Sequence, residues 1–175
     1  MSAVKKEIKQ PDKFEFSKDS LAKAKKIIAK YPKGRQQSAV LPLLDLAQRQ
    51  NDNWVSEAAM RAIAEMLDMQ YIRVYEVASF YTMFNLAPVG ENFIQICRTS
   101  PCWLRGSDDV TKACKDSLGI DIGETTSDNK FTLVEVECLG ACVNAPVVQI
   151  NDHYYEDLTA ESMVKMIADL KSGKK

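Results

Sequence analysis

The chain has 175 residues, of which 46% are hydrophobic and 27% are charged, and its net charge is −1. This composition is typical of a globular protein with room for one substantial core or two small ones, and it lacks the excess positive charge of a nucleic-acid-binding protein. A single histidine argues against histidine-based catalysis and against a multi-histidine metal site.

The first half of the chain is patterned for helices. Residues 1–16 are polar and rich in lysine, and we expect a flexible N-terminal arm there, either mobile or draped on a neighbouring surface. Helices are predicted from about Ser17 to Tyr31, from near Ser38 to Asn51, from Ser56 to Leu67 and from Gln70 to Met83. Residues 17–90 are therefore predicted to form a helical bundle domain.

Two features of these helices make specific predictions. Pro42 fits the second helix only within the first turn, where its missing N–H is not needed. Aromatic residues lie near the end of the fourth helix, and we expect Phe80, Tyr81 and Phe84 to pack in a core or in a seam between domains rather than to dock a partner.

The pattern changes after Gly90, where short strands and helices alternate. Strands are predicted at residues 92–97, 131–137, 147–150 and 154–155, and helices from Ser107 to Gly119 and from Thr159 onward. This order predicts a small α/β domain over residues 91–175, in which helices cover a sheet. The predicted fold class is α+β, with an N-terminal helical bundle followed by an α/β domain.

Charge and cysteine content divide the chain at the same point. Residues 1–90 carry 14 basic and 10 acidic side chains, whereas residues 91–175 carry 9 basic and 14 acidic ones. All five cysteines lie in the acidic half. We therefore expect two regions with different roles.

Four of the cysteines form two close pairs. Cys97 and Cys102 make a C-x4-C pair, and Cys138 and Cys142 make a C-x3-C pair, with 35 residues between the two pairs. Each pair begins where a predicted strand ends. If the two strands are parallel and adjacent, both pairs emerge at the same edge of the sheet, where open α/β sheets gather their ligand sites.

Four converging thiolates suit a soft metal, either zinc or an iron–sulfur cluster. Zinc usually takes tighter pairs, and the patterns of a thioredoxin-type dithiol (C-x-x-C) and of a plant-type ferredoxin (C-x4-C-x2-C) are absent. Gly106, Gly140 and Ala141 allow backbone N–H groups to approach the sulfurs, which favours a cluster. From spacing alone a four-cysteine iron–sulfur site is favoured, and zinc and structural thiols or disulfides stay open as alternatives.

The fifth cysteine has a different context. Cys114 shares a helical face with Val110, Ala113 and Leu118, so we expect it to lie in the core and not to bind the metal. His153, in the last predicted hairpin, is expected to be a surface side chain rather than a ligand.

Three segments of the chain resemble one known family. They are residues 74–85 (VYEVASFYTMFN, followed by Pro-Val-Gly at 88–90), residues 97–106 (CRTSPCWLRG) and residues 135–146 (EVECLGACVNAP). From about residue 14 to residue 170 the chain is similar to the thioredoxin-like 2Fe-2S subunit of respiratory complex I, the NADH:quinone oxidoreductase of bacteria and mitochondria.

The resemblance implies a thioredoxin-like α/β ferredoxin domain that holds one 2Fe-2S cluster. Its cofactor-binding and metal-ligating residues would be Cys97, Cys102, Cys138 and Cys142. It also implies a flavoprotein partner subunit that holds FMN and binds NADH, other peripheral-arm subunits of complex I, and a cluster beside the flavin that exchanges one electron with it. The chain has no Gly-rich nucleotide-binding loop, so it is expected to be an enzyme subunit without catalytic residues of its own.

One position departs from the family pattern. Arg98-Thr99-Ser100 stands where the family often has threonines. We expect Arg98, next to the ligand Cys97, to stabilise the more negative reduced cluster and thereby to raise its reduction potential.

Other functions fit the same cysteine pattern. The same module is reused in NAD-linked hydrogenases and formate dehydrogenases, and a zinc-stabilised interaction domain is a different class altogether. No run approaches the ~18 apolar residues of a membrane span, and the first residues lack an apolar signal region or presequence. We expect a bacterial protein in the cytoplasm, peripheral on the cytoplasmic face of the inner membrane as part of a complex (the matrix side in a mitochondrion), without direct membrane insertion.

Overall fold

The computed structural model describes residues 8–173. The chain divides into two compact units, residues 1–88 and 89–175, and each has its own hydrophobic core. No helix within the described range is long and apolar enough to cross a membrane.

The first unit is helical. Between residues 8 and 88 it contains α1 (Lys18–Ile28), α2 (Val40–Gln50, preceded by a 3-10 turn at Gln36–Ala39), α3 (Glu57–Leu67) and α4 (Tyr71–Phe80). The hydroxyls of Ser17 and Ser56 accept hydrogen bonds from backbone N–H groups in the first turns of α1 and α3, which explains where these helices begin. Pro42 lies in the first turn of α2, as predicted.

The core of the first unit is built from one face of each helix. Its largest fully buried side chains are Leu43, Leu44, Val55, Met60, Ile63 and Val74. Because burying one such side chain contributes about 1.5–3 kcal/mol, this core is the main source of the unit's stability.

The fourth helix is shorter than predicted. It ends at Phe80 rather than Met83, and the chain then turns and places Phe84 in the core. The expectation of a buried aromatic group is therefore correct for Phe84 but wrong for Phe80, which is 78% exposed, and for Tyr81, which is also exposed.

The N-terminal segment is partly described, and residues 1–7 of the expected flexible arm lie outside the described part of the chain. Residues 8–16 form neither helix nor strand. Phe14 and Phe16 pack against the core of the helical unit, and the Gln50 side chain on α2 forms hydrogen bonds with the backbone on both sides of Phe16. This part of the arm is therefore draped on the helical unit rather than free.

The second unit is built on one mixed sheet. Between residues 89 and 173 it contains the strands β1 (Asn92–Cys97), β2 (Glu124–Thr125), β3 (Phe131–Val136), β4 (Val148–Ile150) and β5 (His153–Tyr155), and the helices α5 (Ser100–Leu104), α6 (Ser107–Leu118) and α7 (Ala160–Lys171). The strand order is β2-β3-β1-β4-β5. The central pair, β1 and β3, is parallel, and the other neighbours are antiparallel. A helical unit followed by an α/β unit confirms the predicted α+β class.

Several short elements are absent from the prediction. The five-residue helix α5 and the two-residue strand β2 are too short to produce a periodic pattern. α6 begins at Ser107, but this serine, a residue type that often caps helices, is the first helical residue, and Gly106 is the N-cap. Gly106 has φ +96°, a conformation that suits glycine.

The core of the second unit lies between the sheet and helices α6 and α7. Ile94 and Leu133 contribute from the sheet, and Met163 and Ile167 contribute from α7. Cys114 on α6 is fully buried in the same cluster, as its helical face predicts.

Gly90, at the start of the second unit, shows why a side chain is not tolerated where the chain enters the sheet. A Cβ at this position would lie 2.7 Å from backbone atoms of Phe131. The Gly90 N–H donates to the buried Thr132 hydroxyl at 2.7 Å. This close approach holds the entry to β1 against β3.

Candidate metal centre

The two cysteine pairs emerge at the same edge of the sheet. β1 and β3 are parallel, with Cys97 in register with Val136, so their carboxyl ends lie side by side. Cys138 follows the end of β3 by two residues. The strand arrangement expected from the sequence is therefore present, and both pairs lie where α/β sheets gather their ligands.

The first pair is buried. Cys97 is the last residue of β1 and Cys102 lies in α5, and each is only 1% exposed. α5 brings Cys102 back toward the end of β1. The helix begins with Pro101 in its first turn, where proline is favourable. The two thiols lie close enough for Cys97 to raise the pKa of Cys102.

The second pair lies on an exposed loop between β3 and β4. The sulfurs of Cys138 and Cys142 are 3.4 Å apart. Gly140, between them, has φ +85°, a conformation that costs other residues about 1–2 kcal/mol. Its N–H donates to the Cys138 sulfur at 3.3 Å.

The two pairs also interact with each other. The backbone of Leu139, in the second loop, acts to lower the pKa of Cys97, and Cys142 interacts electrostatically with both Cys97 and Cys102. The structure thus brings together all four cysteines that the sequence selects.

The sulfurs lie in two close pairs, Cys97 with Cys102 and Cys138 with Cys142. Such thiolates suit a soft metal, either zinc or an iron–sulfur cluster. Two pairs of thiolates are the donor set of a 2Fe-2S cluster, in which four cysteines serve two irons.

The thiol pKa values reflect burial and hydrogen bonding. Burial acts to raise the pKa of Cys97, but hydrogen bonds from Thr99 and from the Leu139 backbone outweigh it, and the pKa lies below its ordinary value. Burial, together with the hydrogen bond to Cys97, raises the pKa of Cys102 to about 11. The hydrogen bond with Cys138 raises the pKa of Cys142.

Hydrogen-bond donors surround the sulfurs. The Thr99 hydroxyl lies 3.3 Å from the Cys97 sulfur, the Gly140 N–H donates to the Cys138 sulfur, and the Val147 backbone acts to lower the pKa of Cys102. Such donors stabilise negative charge on metal-bound sulfur. The environment of the four cysteines therefore fits an anionic iron–sulfur centre.

Side chains from β5 and the segment after it fix the second loop, and sequence reasoning does not identify them. The Tyr154 hydroxyl donates to the Leu139 carbonyl at 2.8 Å. The Asn144 side-chain amide donates to the Glu156 carboxylate at 2.5 Å. Both contacts join residues more than ten positions apart, and the local pattern at Tyr154 predicts only a strand.

Arg98 forms ion pairs that the sequence does not predict. Its guanidinium lies 3.5 Å from the Glu135 carboxylate and 3.9 Å from that of Glu137, both near the end of β3. Its positive charge is therefore shared with two carboxylates, which weakens the effect on a neighbouring cluster without removing it.

Apolar side chains next to the cysteines face outward. Trp103, Leu104 and Val143 are 57%, 75% and 97% exposed. The Trp103 ring nitrogen donates to Asp108 at 3.0 Å, which holds the ring at the surface of the unit. These three residues form an exposed apolar rim beside the site.

The two residues excluded as ligands lie apart from this arrangement. Cys114 is in the core of the second unit, where burial raises the pKa of its thiol to about 12. His153 is exposed on β5.

Known proteins resemble this chain over most of its length. Residues 24–171 match the profile of the thioredoxin-like [2Fe-2S] ferredoxin family. The chain is 62% identical over 159 residues to a subunit of NADH-quinone oxidoreductase (the one lettered E) of Rickettsia bellii (strain RML369-C), a match that covers 91% of this chain and 95% of the relative. It is 58% identical over 161 residues to NADH dehydrogenase [ubiquinone] flavoprotein 2, mitochondrial, of Dictyostelium discoideum, which covers 92% of this chain and 65% of the relative.

A solved structure shares the fold. NAD+-reducing [NiFe]-hydrogenase in the air-oxidized state matches with a TM-score of 0.67, over 75% of this chain and 23% of that chain. Because the two sequences are only 19% identical, this likeness bears on the fold alone.

Proposed function

This chain belongs to the thioredoxin-like [2Fe-2S] ferredoxin family, and on that premise we propose that it is the iron–sulfur electron-transfer subunit of an NADH:quinone oxidoreductase. Its identity of 62% to a subunit of NADH-quinone oxidoreductase, across 95% of that relative, supports this assignment. The observation on the chain itself that carries the proposal is the convergence of two cysteine pairs at one edge of the sheet.

The ligands in this proposal are the four paired cysteines. Cys97 and Cys102 would hold one iron, and Cys138 and Cys142 the other. The proximity of the two sulfurs within each pair supports this pairing. When bound, the cluster supplies a centre that accepts and returns one electron.

The chain's own residues prepare the site for that electron. The β1 end and α5 keep the first pair away from water, the Gly140 N–H donates to the Cys138 sulfur, and the backbone at Leu139 and Val147 acts to lower the pKa of Cys97 and Cys102. Because these donors favour added negative charge, they stabilise the reduced form. The exposed second loop is the side from which an electron donor can approach.

The proposed partner is a flavoprotein that holds FMN and binds NADH. Hydride chemistry must occur on such a partner, since the sequence has no Gly-rich nucleotide loop. The apolar rim of Trp103, Leu104 and Val143 lies next to the cysteines, and exposed apolar patches mark interaction sites. We place the flavoprotein on this rim, with other peripheral-arm subunits of the complex completing the assembly.

The location in this proposal is peripheral. The chain would sit on the cytoplasmic face of the inner membrane as part of the complex, or on the matrix side in a mitochondrion. The lack of any membrane-crossing helix within residues 8–173 is compatible with this position.

The test is purification of the full chain without oxygen, alone and co-expressed with its flavoprotein partner. The proposal expects equal amounts of iron and acid-labile sulfide, a visible absorption that bleaches on reduction, an EPR signal in the reduced state, and co-purification with the partner. A colourless protein that holds zinc and no sulfide would overturn it in favour of a zinc-stabilised interaction domain.

A further inference from the structure

The Leu139–Gly140 peptide group links Tyr154 to a cysteine sulfur. The Tyr154 hydroxyl donates to the Leu139 carbonyl oxygen at 2.8 Å. The N–H of the same peptide group, which belongs to Gly140, donates to the Cys138 sulfur at 3.3 Å. A continuous path of two hydrogen bonds therefore runs from the phenol through one amide to the sulfur.

Hydrogen bonds in series strengthen one another. A donor at the carbonyl polarises the amide and makes its N–H a better donor. Hydrogen bonds to the sulfurs of an iron–sulfur cluster help to set its reduction potential. A phenol two bonds away from the sulfur can therefore act on the potential without touching the cluster.

Gly140 gives the hydroxyl a second effect, on geometry. The residue has φ +85°, and no atom lies within 4 Å of the place a Cβ would occupy. Glycine adopts either sign of φ with little cost, so sterics alone do not fix the direction of the 139–140 peptide. The tie from Tyr154 selects the orientation in which the N–H points at Cys138.

Tyr154 is well placed to hold that peptide. It lies on β5, paired with Gln149 of β4, and β4 in turn pairs with β1, the strand that ends at Cys97. The side chain is 47% exposed, so the hydroxyl is not needed to fill a core position. Its contact with Leu139 therefore ties the exposed ligand loop to the sheet that carries the buried ligands.

We propose that Tyr154 is a positioning residue that raises the reduction potential of the cluster through the Leu139–Gly140 peptide. The inference rests on the proposed function, because it requires Cys138 to be a ligand. It assigns to a residue remote from the metal a part in setting the redox equilibrium.

The main test is Tyr154→Phe in the full chain, with Tyr155→Phe as the matched control. Neighbouring strand residues face opposite sides, and Tyr155 packs against the core of its unit instead. We expect Tyr154→Phe to lower the midpoint potential by about 30–60 mV, which for one electron is a three- to tenfold change in the equilibrium between the oxidised and reduced cluster. EPR-monitored redox titration measures this shift. The control should keep the parent potential.

The outcomes separate this inference from the proposed function. A wild-type chain without a cluster overturns both. A loaded Tyr154→Phe protein with the parent potential, or equal shifts in both variants, overturns the role of Tyr154 alone.

A second probe keeps the fold intact if Tyr154→Phe does not load a cluster. Replacement of Tyr154 by 3-fluorotyrosine strengthens the phenol as a donor, since the ring becomes more acidic while its shape is kept. Below the pH at which that phenol ionises, the potential should rise, opposite in sign to the effect of phenylalanine. An unchanged or lowered potential in the fluorotyrosine protein contradicts the proposal.

Discussion

The two cysteine pairs are held in opposite ways. Cys97 and Cys102 are buried and are positioned by a strand end and a short helix. Cys138 and Cys142 are exposed on a loop that depends on Gly140 and on hydrogen bonds from other segments. Packing therefore positions Cys97 and Cys102, whereas directional polar contacts position Cys138 and Cys142. The two halves should therefore respond differently to substitution.

The largest expected effect is shared by both pairs. Serine at any one of the four positions, Cys97, Cys102, Cys138 or Cys142, should remove the cluster or leave it unstable, because a hydroxyl is a poor substitute for a thiolate on iron. Iron and sulfide content and the visible spectrum measure the loss. Cys114→Ser is the control and should retain the cluster; loss in that variant would refute the ligand assignment.

The next effect should separate the two pairs. In the cluster-free full chain, Cys97→Ser and Cys102→Ser should each cost about 1–3 kcal/mol of unfolding free energy, because they bury a hydroxyl in place of a thiol. Cys138→Ser and Cys142→Ser, at exposed positions, should stay within about 0.5 kcal/mol of the parent. Urea unfolding measures the difference. Equal losses of unfolding free energy for both pairs would contradict the distinction between a packed pair and an exposed pair.

Backbone conformation should matter most in the exposed loop. Gly140→Ala should lower the free energy of unfolding by about 1–2 kcal/mol. The cost comes from the positive φ alone, since no atom crowds the position of the added Cβ. The substitution should also alter the EPR signal, because the N–H that donates to Cys138 moves. Gly34→Ala is the matched control, with φ +80° and equally open surroundings in the helical unit. It should lose similar stability and keep the parent EPR signal, and a changed signal in both variants would contradict a local role for Gly140.

The smallest effect is expected at Arg98. Arg98→Thr should lower the midpoint potential slightly, because its charge is shared with Glu135 and Glu137 and exposed ion pairs are worth about 0–1 kcal/mol. Arg98→Lys, which keeps the charge, should remain close to the parent. Redox titration at low and high salt measures the shift, which should shrink as salt screens the charge; an unshifted Arg98→Thr protein at low salt would remove Arg98 from the account.

The regular elements of the fold are accessible from the sequence, and the long-range contacts are not. The helix starts at Ser17 and Ser56 can be predicted from the sequence, because N-capping is a local interaction. The end of α4 depends on Phe84 reaching the core, and the apolar run before it gives no local sign of that turn. The segment at residues 8–16 has no period, so its attachment to Gln50 cannot be seen in a pattern.

The same division applies to the metal site. The candidate ligand pairs, Cys97–Cys102 and Cys138–Cys142, are predicted from cysteine spacing. Because β1 and β3 are parallel and adjacent, both pairs lie at one edge of the sheet. The ties from Tyr154 to Leu139 and from Asn144 to Glu156 join residues that no local rule connects. The exposed half of the site is therefore the half that the sequence explains least.

X-ray absorption at the iron edge of the purified full chain tests most directly that two cysteine pairs serve two irons. The account predicts iron surrounded by sulfur, with one other iron as its neighbour beyond the sulfur shell. Iron without a metal neighbour, or zinc bound to the four cysteines, would contradict the arrangement in two pairs and the function built on it.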